Sequence, residues 1–317
     1  MQFQKILTIG INESALDPEY WKKIESLAVK KISLSVDSSE IKQQVVDADC
    51  LLVNPFVYKV EKDLLDAAPR LKYIGAISTA FGKVDVDYAT KKGIIVCNIP
   101  GYSTEAVSEF AFGVILGYIR DLENERQMAK ESNFSATPPI PISEIKGKKF
   151  GVIGLGRIGS RIAELALAFG ASVVYWSRNR KKEFEEKGIK YEELDKLLSE
   201  CDFISLHLAF NSDTENFMNK SRIDKIKSGT ILINLAPNEL VDFSALERRL
   251  AKNDLVYIAD HTDEMTSEQV KLISKHKNCI LYPPLAYATK EARMLKQKIF
   301  VENIENFLKG KPSNKVN

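Results

Sequence analysis

The chain has 317 residues, 44% of them hydrophobic and 28% charged, with a formal net charge of +2. That length exceeds one ordinary domain, and the composition is that of a globular protein rather than a disordered or low-complexity one. So small a net charge excludes a general attraction to nucleic acid or to a membrane surface, and any electropositive site must be local. The four cysteines, Cys50, Cys97, Cys201 and Cys279, form no Cys-x-x-Cys pair. Their spacing suits reduced thiols in the cytoplasm, and neither a zinc site nor a disulfide framework is expected.

The opening MQFQKILTIG runs directly into a strand-like segment without a signal-peptide pattern. Short apolar runs then alternate with amphipathic stretches, the pattern of a parallel sheet with crossover helices. In the first third the strand candidates are Lys5–Ile9, Cys50–Val53, Tyr73–Ala76 and Ile94–Cys97, with helical spacing over Glu61–Ala67. Near Pro100 the first α/β unit ends. A longer helix is expected from Ser103 or Thr104, where a hydroxyl N-cap precedes Glu105, past Glu123 to about Lys130. Its apolar part, Phe110–Ile119, is too short to span a bilayer. The stretch Asn133–Ser143, with Pro138, Pro139 and Pro141, reads as an irregular linker. Six more strands follow at Lys149–Ile153, Ser172–Trp176, Phe203–Leu206, Thr230–Asn234, Leu255–Ala259 and Cys279–Tyr282, with a helix over Ser244–Lys252. The expected class is α/β, with two Rossmann-like or flavodoxin-like domains, each a parallel sheet flanked by helices.

The strand at Lys149–Ile153 leads into Gly154-Leu-Gly156-Arg157-Ile158-Gly159 and then a helical stretch. This G-x-G-x-x-G pattern gives each glycine a mechanical task. The first makes the tight turn, the second lets a pyrophosphate approach the backbone, and the third lets helix and strand pack closely. The phosphates would meet unpaired N–H groups at the positive end of the helix dipole. Because the motif sits between a strand and a helix, it reads as a dinucleotide site rather than as a structural turn.

The end of the next strand selects the dinucleotide. An NAD site usually places Asp or Glu there, roughly 20 residues beyond the motif, to bind the ribose hydroxyls. Here the run is Ser177-Arg178-Asn179-Arg180-Lys181-Lys182. No carboxylate repels a 2′-phosphate, and Ser177, Arg178 and Arg180 offer donors for one. NADP(H) is therefore preferred, with NAD(H) as the alternative; the competing reading is a solvated basic loop.

With these residues in view, the sequence resembles the D-isomer-specific 2-hydroxyacid dehydrogenases, especially the glyoxylate and hydroxypyruvate reductases. The likeness runs through Ala68–Ile74, Gly93–Gly101, Glu105–Glu109, the glycine cluster, Ser205–Leu208, Leu232–Asn234, Leu240–Asp242 and Glu302–Pro312. It implies a substrate domain of residues 1–100 plus 286–317, with a dinucleotide-binding domain, 101–285, inserted into it. It also implies a homodimer. By the same resemblance, Val107, Ala236, His207 and Asp260 belong to the cofactor site, Asp260 meeting the nicotinamide carboxamide. Amides near Thr79 and Ala80 would hold a substrate carboxylate, and Phe56 would wall the site.

Three positions depart from the family pattern. Its carboxylate-clamping arginine falls at Pro237, within Asn234-Leu-Ala-Pro-Asn-Glu239. The acid–base histidine falls at Pro284. The acid that supports that histidine falls at Met265, with Glu264 one residue away. Proline has neither charge nor donor, so it cannot replace either group. Replacement proton donors are His261, whose ordinary pKa lies near neutrality, and Tyr287, with Glu264 beside them. His276 reads as a surface residue. Two functions stay open: an NADP(H)-dependent oxidoreductase acting on a small molecule other than a simple 2-keto acid, and a binding or regulatory protein that keeps the fold without turnover.

Overall fold

The computed structural model describes residues 2–132 and 143–317. The chain divides into two compact units, Met1–Tyr102 with Lys290–Asn317, and Ser103–Thr289.

In the first unit, short runs of Val, Ile and Leu form five strands: β1 (Phe3–Ile9), β2 (Ala28–Leu34), β3 (Cys50–Val53), β4 (Tyr73–Ala76) and β5 (Ile95–Cys97). They pair in parallel in the order β2-β1-β3-β4-β5, the doubly wound order of flavodoxin-like sheets. Successive residues point to opposite faces. Leu51 and Val53 join one core with Leu64, Leu65 and Ala89, whereas Cys50 and Leu52 join the other with Trp21, Ile24 and Phe300. Both faces are covered, which is why β3 and β4 are buried at every position. The helix Lys290–Leu308 returns to this unit through Phe300, Val301 and Ile304. Asn303 is buried with it and donates from Nδ2 to the carbonyl of Asn98 at 2.8 Å.

The second unit holds seven strands among its described residues: β6 (Lys149–Ile153), β7 (Ser172–Trp176), β8 (Lys190–Tyr191), β9 (Phe203–Leu206), β10 (Thr230–Asn234), β11 (Leu255–Ala259) and β12 (Cys279–Leu281). All pair in parallel, in the order β12-β11-β10-β9-β6-β7-β8. The order reverses between β6 and β9, and the crevice beyond such a reversal is where open α/β sheets bind ligands.

Several elements differ from those expected from the sequence. Two edge strands went unread. β2 carries Lys30 and Lys31 and is largely solvent-facing, so its apolar signal is diluted, a common protection for a sheet edge. β8 is two residues long. The single helix expected from Thr104 to Lys130 is two, Thr104–Ile119 and Leu122–Lys130, because Asp121 takes a left-handed conformation with φ 50°. Asn124 Nδ2, in the second helix, donates to the Asp121 carboxylate at 3.1 Å and holds that residue at the helix start. Ser103 occupies the N-cap position, yet its hydroxyl makes no capping bond. The helix near Ser244 begins at Phe243, capped by Asp242, whose carboxylate accepts from Ala245 N at 2.9 Å. The Pro-rich linker falls on 133–142, outside the described residues.

Candidate functional site

The turn after β6 shows what the glycines do. Gly154 has φ +95°, and a Cβ there would lie 2.6 Å from the carbonyl oxygen of His207, at the end of β9. A Cβ on Gly159 would lie 2.0 Å from the carbonyl oxygen of Gly154. These two glycines therefore close strand, turn and helix onto one another. Gly156 differs: a Cβ there would meet nothing within 4 Å. It is the N-cap of the helix Arg157–Ala168, and the first intrahelical bond runs from Ser160 N to Gly156 O at 2.9 Å. The amides of Arg157, Ile158 and Gly159 precede that bond, so they lack intrahelical partners. Open space above three donors at the positive end of a twelve-residue helix can take a diphosphate.

Beyond β7, Ser177 Oγ donates to Asn179 O at 2.6 Å and shapes the loop. The two arginines behave differently. Arg180 is held by Glu185, with guanidinium–carboxylate distances of 2.6 and 3.1 Å, and its Cζ lies 4.9 Å from the centre of the Tyr191 ring. Arg178 reaches Asp213 at 3.3 Å in an ion pair exposed on both sides, which costs little to exchange for another anion. Only Arg178 has a fork ready for a ligand.

His207 follows β9. Its Nε2 lies 2.6 Å from Ser205 Oγ, and desolvation pushes its pKa down to about 3. It is therefore neutral at physiological pH and offers a hydrogen bond rather than a charge. Val107, on the helix Thr104–Ile119, and Ala236, after β10, are both buried.

The segments leaving β10, β11 and β12 are laced together. Asn234 Oδ1 accepts from Ala236 N at 3.1 Å and turns the chain into Pro237. Asn238 Nδ2 donates to the carbonyl of His261. Thr262 Oγ1 donates to Tyr282 O at 3.0 Å, and Asp260 Oδ2 accepts from Ala286 N at 3.1 Å. Pro237, His261 and the Pro284 segment are thus brought into one cluster. Leu285 and Tyr287 are exposed beyond it.

Asp260 is fully buried, and its Oδ1 has no hydrogen-bond partner among the described residues. Burial raises its pKa, against a lowering by His261. The His261 ring sits between two carboxylates, with Nε2 3.6 Å from Asp260 Oδ1 and Nδ1 3.5 Å from Glu264 Oε1. Desolvation lowers its pKa, but Glu264, Asp260 and Asp263 together raise it above the usual histidine value. His261 thus favours the charged form and can give up a proton. His276 is paired instead with Glu247 at 3.1 Å, away from this cluster.

In the first unit the strand ends present Phe56, exposed after β3, and the loop after β4. Thr79 Oγ1 donates to Ile99 O at 2.8 Å and Asn98 Nδ2 donates to Thr79 O at 2.7 Å. Thr79 and Ala80 are exposed, and among the described residues their backbone amides donate to no partner. They can receive a carboxylate.

Beyond the residues expected from the sequence, Ser205, Asn234 and Asn238 also shape these strand ends. Each is a buried polar residue at or just beyond a hydrophobic strand, and that interruption was the available signal. Among the described residues no group of His, Cys, Asp and Glu side chains could hold a metal ion, and no helix is long and apolar enough to cross a membrane.

Known proteins share this architecture of two parallel-sheet units flanked by helices. Residues 112–286 match the family model described as D-isomer specific 2-hydroxyacid dehydrogenase, NAD binding domain. The hydroxypyruvate reductase of Blautia hydrogenotrophica is 33% identical over 321 residues, covering 97% of each chain. The glyoxylate reductase of Aeropyrum pernix is 35% identical over 268 residues, covering 82% of this chain and 80% of its own. Among solved structures, D-lactate dehydrogenase from Aquifex aeolicus, complexed with NAD and lactic acid, superposes with a TM-score of 0.85 at 31% identity, covering 98% of both chains. An acyclic imino acid reductase in complex with NADPH and D-Arg gives 0.86 at 27% identity, covering 98% of this chain and 100% of its own. Motif, strand order and full-length similarity therefore converge, and the chain belongs to the D-isomer-specific 2-hydroxyacid dehydrogenase family, whose nicotinamide dinucleotide cofactor the second unit is built to bind.

Proposed function

We propose that the protein is an NADP(H)-preferring oxidoreductase whose substrate is a carbonyl compound, or its imine counterpart, other than a simple 2-keto acid. The observation that carries this reading is a contrast within the second unit. The glycine turn and the buried Asp260 are ready for a cofactor, while Pro237 and Pro284 stand where a keto-acid enzyme of this family needs a cation and an acid.

In this reading Gly154, Gly156, Arg157, Ile158 and Gly159 hold the pyrophosphate and Arg178 holds the 2′-phosphate, while Ser177, whose hydroxyl donates to Asn179 O, sets the loop's shape and Arg180 stays nearby in its bond to Glu185. Val107, Ala236 and His207 border the nicotinamide half, and Asp260 receives its carboxamide. The bound cofactor supplies the hydride. Thr79 and Ala80 offer amides to a carboxylate, and Phe56 an apolar wall. His261, whose pKa Glu264 and Asp260 raise against the lowering by burial, is the proton source, with Tyr287 as the alternative.

Adding hydride to a carbonyl generates an alkoxide that must be protonated, and a positioned acid is worth about 10²–10⁴-fold there. An iminium already carries its proton and becomes a neutral amine. A site with Pro284 in place of the family's acid–base histidine is better matched to that chemistry, and the NADPH-bound imino acid reductase supports it. The second reading, cofactor binding without turnover, is favoured by the same two prolines. On either reading we place the protein in the cytoplasm as a homodimer. The unpaired cysteines support the compartment, and light scattering reads the oligomeric state.

The test is NADPH and NADH oxidation with glyoxylate, hydroxypyruvate, pyruvate, and pyruvate with added ammonium or amine. The simple keto acids are expected to turn over little, and the imine mixtures faster. Vigorous glyoxylate reduction would overturn the proposal. NADPH binding with no turnover on any substrate would leave the second reading standing.

A further inference from the structure

Asn238 directly follows Pro237 in the segment leaving β10. It opens the 3-10 turn Asn238–Leu240 and is 4% exposed. Its Nδ2 is spent on the carbonyl of His261, which fixes the amide's orientation and leaves Oδ1 as the group on offer. That oxygen is buried and has no partner among the described residues, and the same holds for Asp260 Oδ1. The two atoms are linked through one residue: His261 receives Asn238 at its backbone, and its ring lies 3.6 Å from Asp260 Oδ1.

Burying an acceptor without a donor forfeits its hydration with nothing in return, so two such atoms in one cluster call for a ligand that satisfies them. Both are acceptors. What they lack is a donor, and a carboxylate or phosphate would only add more acceptors. We propose that Asn238 is a ligand-binding residue whose buried amide oxygen, with Asp260 Oδ1, accepts hydrogens from an NH2-type nitrogen donor. Two such groups can reach a nicotinamide enzyme's strand ends: the carboxamide of the cofactor, and the nitrogen of an imine or amine substrate. The inference rests on the dinucleotide reading of the second unit, but not on the choice of NADP(H) or on turnover.

The experiment compares wild type with Asn238→Ala by calorimetry, using NADP+ and its 3-acetylpyridine analogue, in which a methyl group replaces the carboxamide NH2. If the donor is the carboxamide, the substitution weakens NADP+ by about 5–30-fold and the analogue by less than about 2-fold. If the donor is the substrate nitrogen, both dinucleotides bind as before. D-alanine then loses affinity for the NADP+-saturated variant while D-lactate does not. Either pattern supports Asn238 as an acceptor. Equal weakening of every ligand overturns it, because Asn238 would then only brace His261 or be satisfied by water. No change with any ligand also overturns it. Wild-type protein that binds neither NADP+ nor NAD+ sinks the dinucleotide reading itself, and the inference with it. Should the alanine variant fail to fold, Asn238→Ser, which keeps a short polar side chain, carries the same comparison.

Discussion

Arg178 and Arg180 share one basic run, yet their surroundings give them different tasks. Glu185 holds the fork of Arg180, whereas Arg178 is tied only to an exposed Asp213. A charge-assisted hydrogen bond is worth about 1.5–3 kcal/mol, so Arg178→Ala should weaken NADPH by about 10-fold or more and leave NADH within about 2-fold. Arg180→Ala should mainly loosen the loop, lowering the melting temperature while changing the NADPH/NADH ratio little. Equal losses for both cofactors in Arg178→Ala would sink the 2′-phosphate assignment. His207 carries a second prediction. Its folded pKa of about 3 lies below the ordinary 6.5, so the unfolded chain binds more protons between those values. Stability should therefore fall as pH drops through that window. The residue is half-buried rather than sealed off, so water tempers the loss to about 1–2 kcal/mol. Urea midpoints at neutral and mildly acidic pH, for wild type and His207→Asn, should show the asparagine variant losing less. His261 has the opposite sign: its pKa is raised, so its contribution is complete below the unfolded value and fades as pH rises through the folded one.

At the scale of the element, the turn after β6 separates glycines that build the fold from one that serves the ligand. Gly159→Ala drives a methyl to 2.0 Å from the Gly154 carbonyl, which no rotamer relieves, so a loss of at least about 1–3 kcal/mol is expected. Gly156→Ala meets open space at a negative φ and should change stability by less than about 1 kcal/mol, yet weaken NADP(H) by 10-fold or more. A thermal melt with and without cofactor distinguishes them, and a Gly156→Ala protein that binds normally would contradict the cradle. This division was legible in the sequence because strand, spacing and helix all point to one turn. The buried strands were legible for a similar reason, being nearly continuous apolar runs. What stayed hidden had mixed or non-local signals. β2 mixes lysines into its pattern, and the break at Asp121 depends on a left-handed residue that is not glycine. The roles of Ser205, Asn234 and Asn238 depend on which strand ends lie side by side, which no local window contains.

Across the whole molecule, the covalent order of the chain differs from the order in which it packs. The first unit is completed by Lys290–Asn317, which supplies the buried side chains of Phe300, Val301 and Ile304. The same segment carries Asn303, bonded to the Asn98 carbonyl, and Asn317, whose Oδ1 accepts from Val96 N at 3.0 Å. Burying a large apolar side chain is worth about 1.5–3 kcal/mol. Three of them plus the two asparagine bonds therefore approach the 5–15 kcal/mol that holds a typical domain. A chain truncated after Thr289 should lose the first unit while the second, whose core draws on its own residues, keeps its sheet. The two tryptophans make this measurable, because Trp21 lies in the first unit's core and Trp176 packs on the second's. With Trp176→Phe as background, truncation should shift Trp21 emission to that of a solvated indole. With Trp21→Phe as background, Trp176 should keep its folded spectrum and still respond to NADP(H). If Trp21 stays shielded after truncation, the returning helix is an accessory to the first unit; if Trp176 is lost as well, the two units do not fold separately.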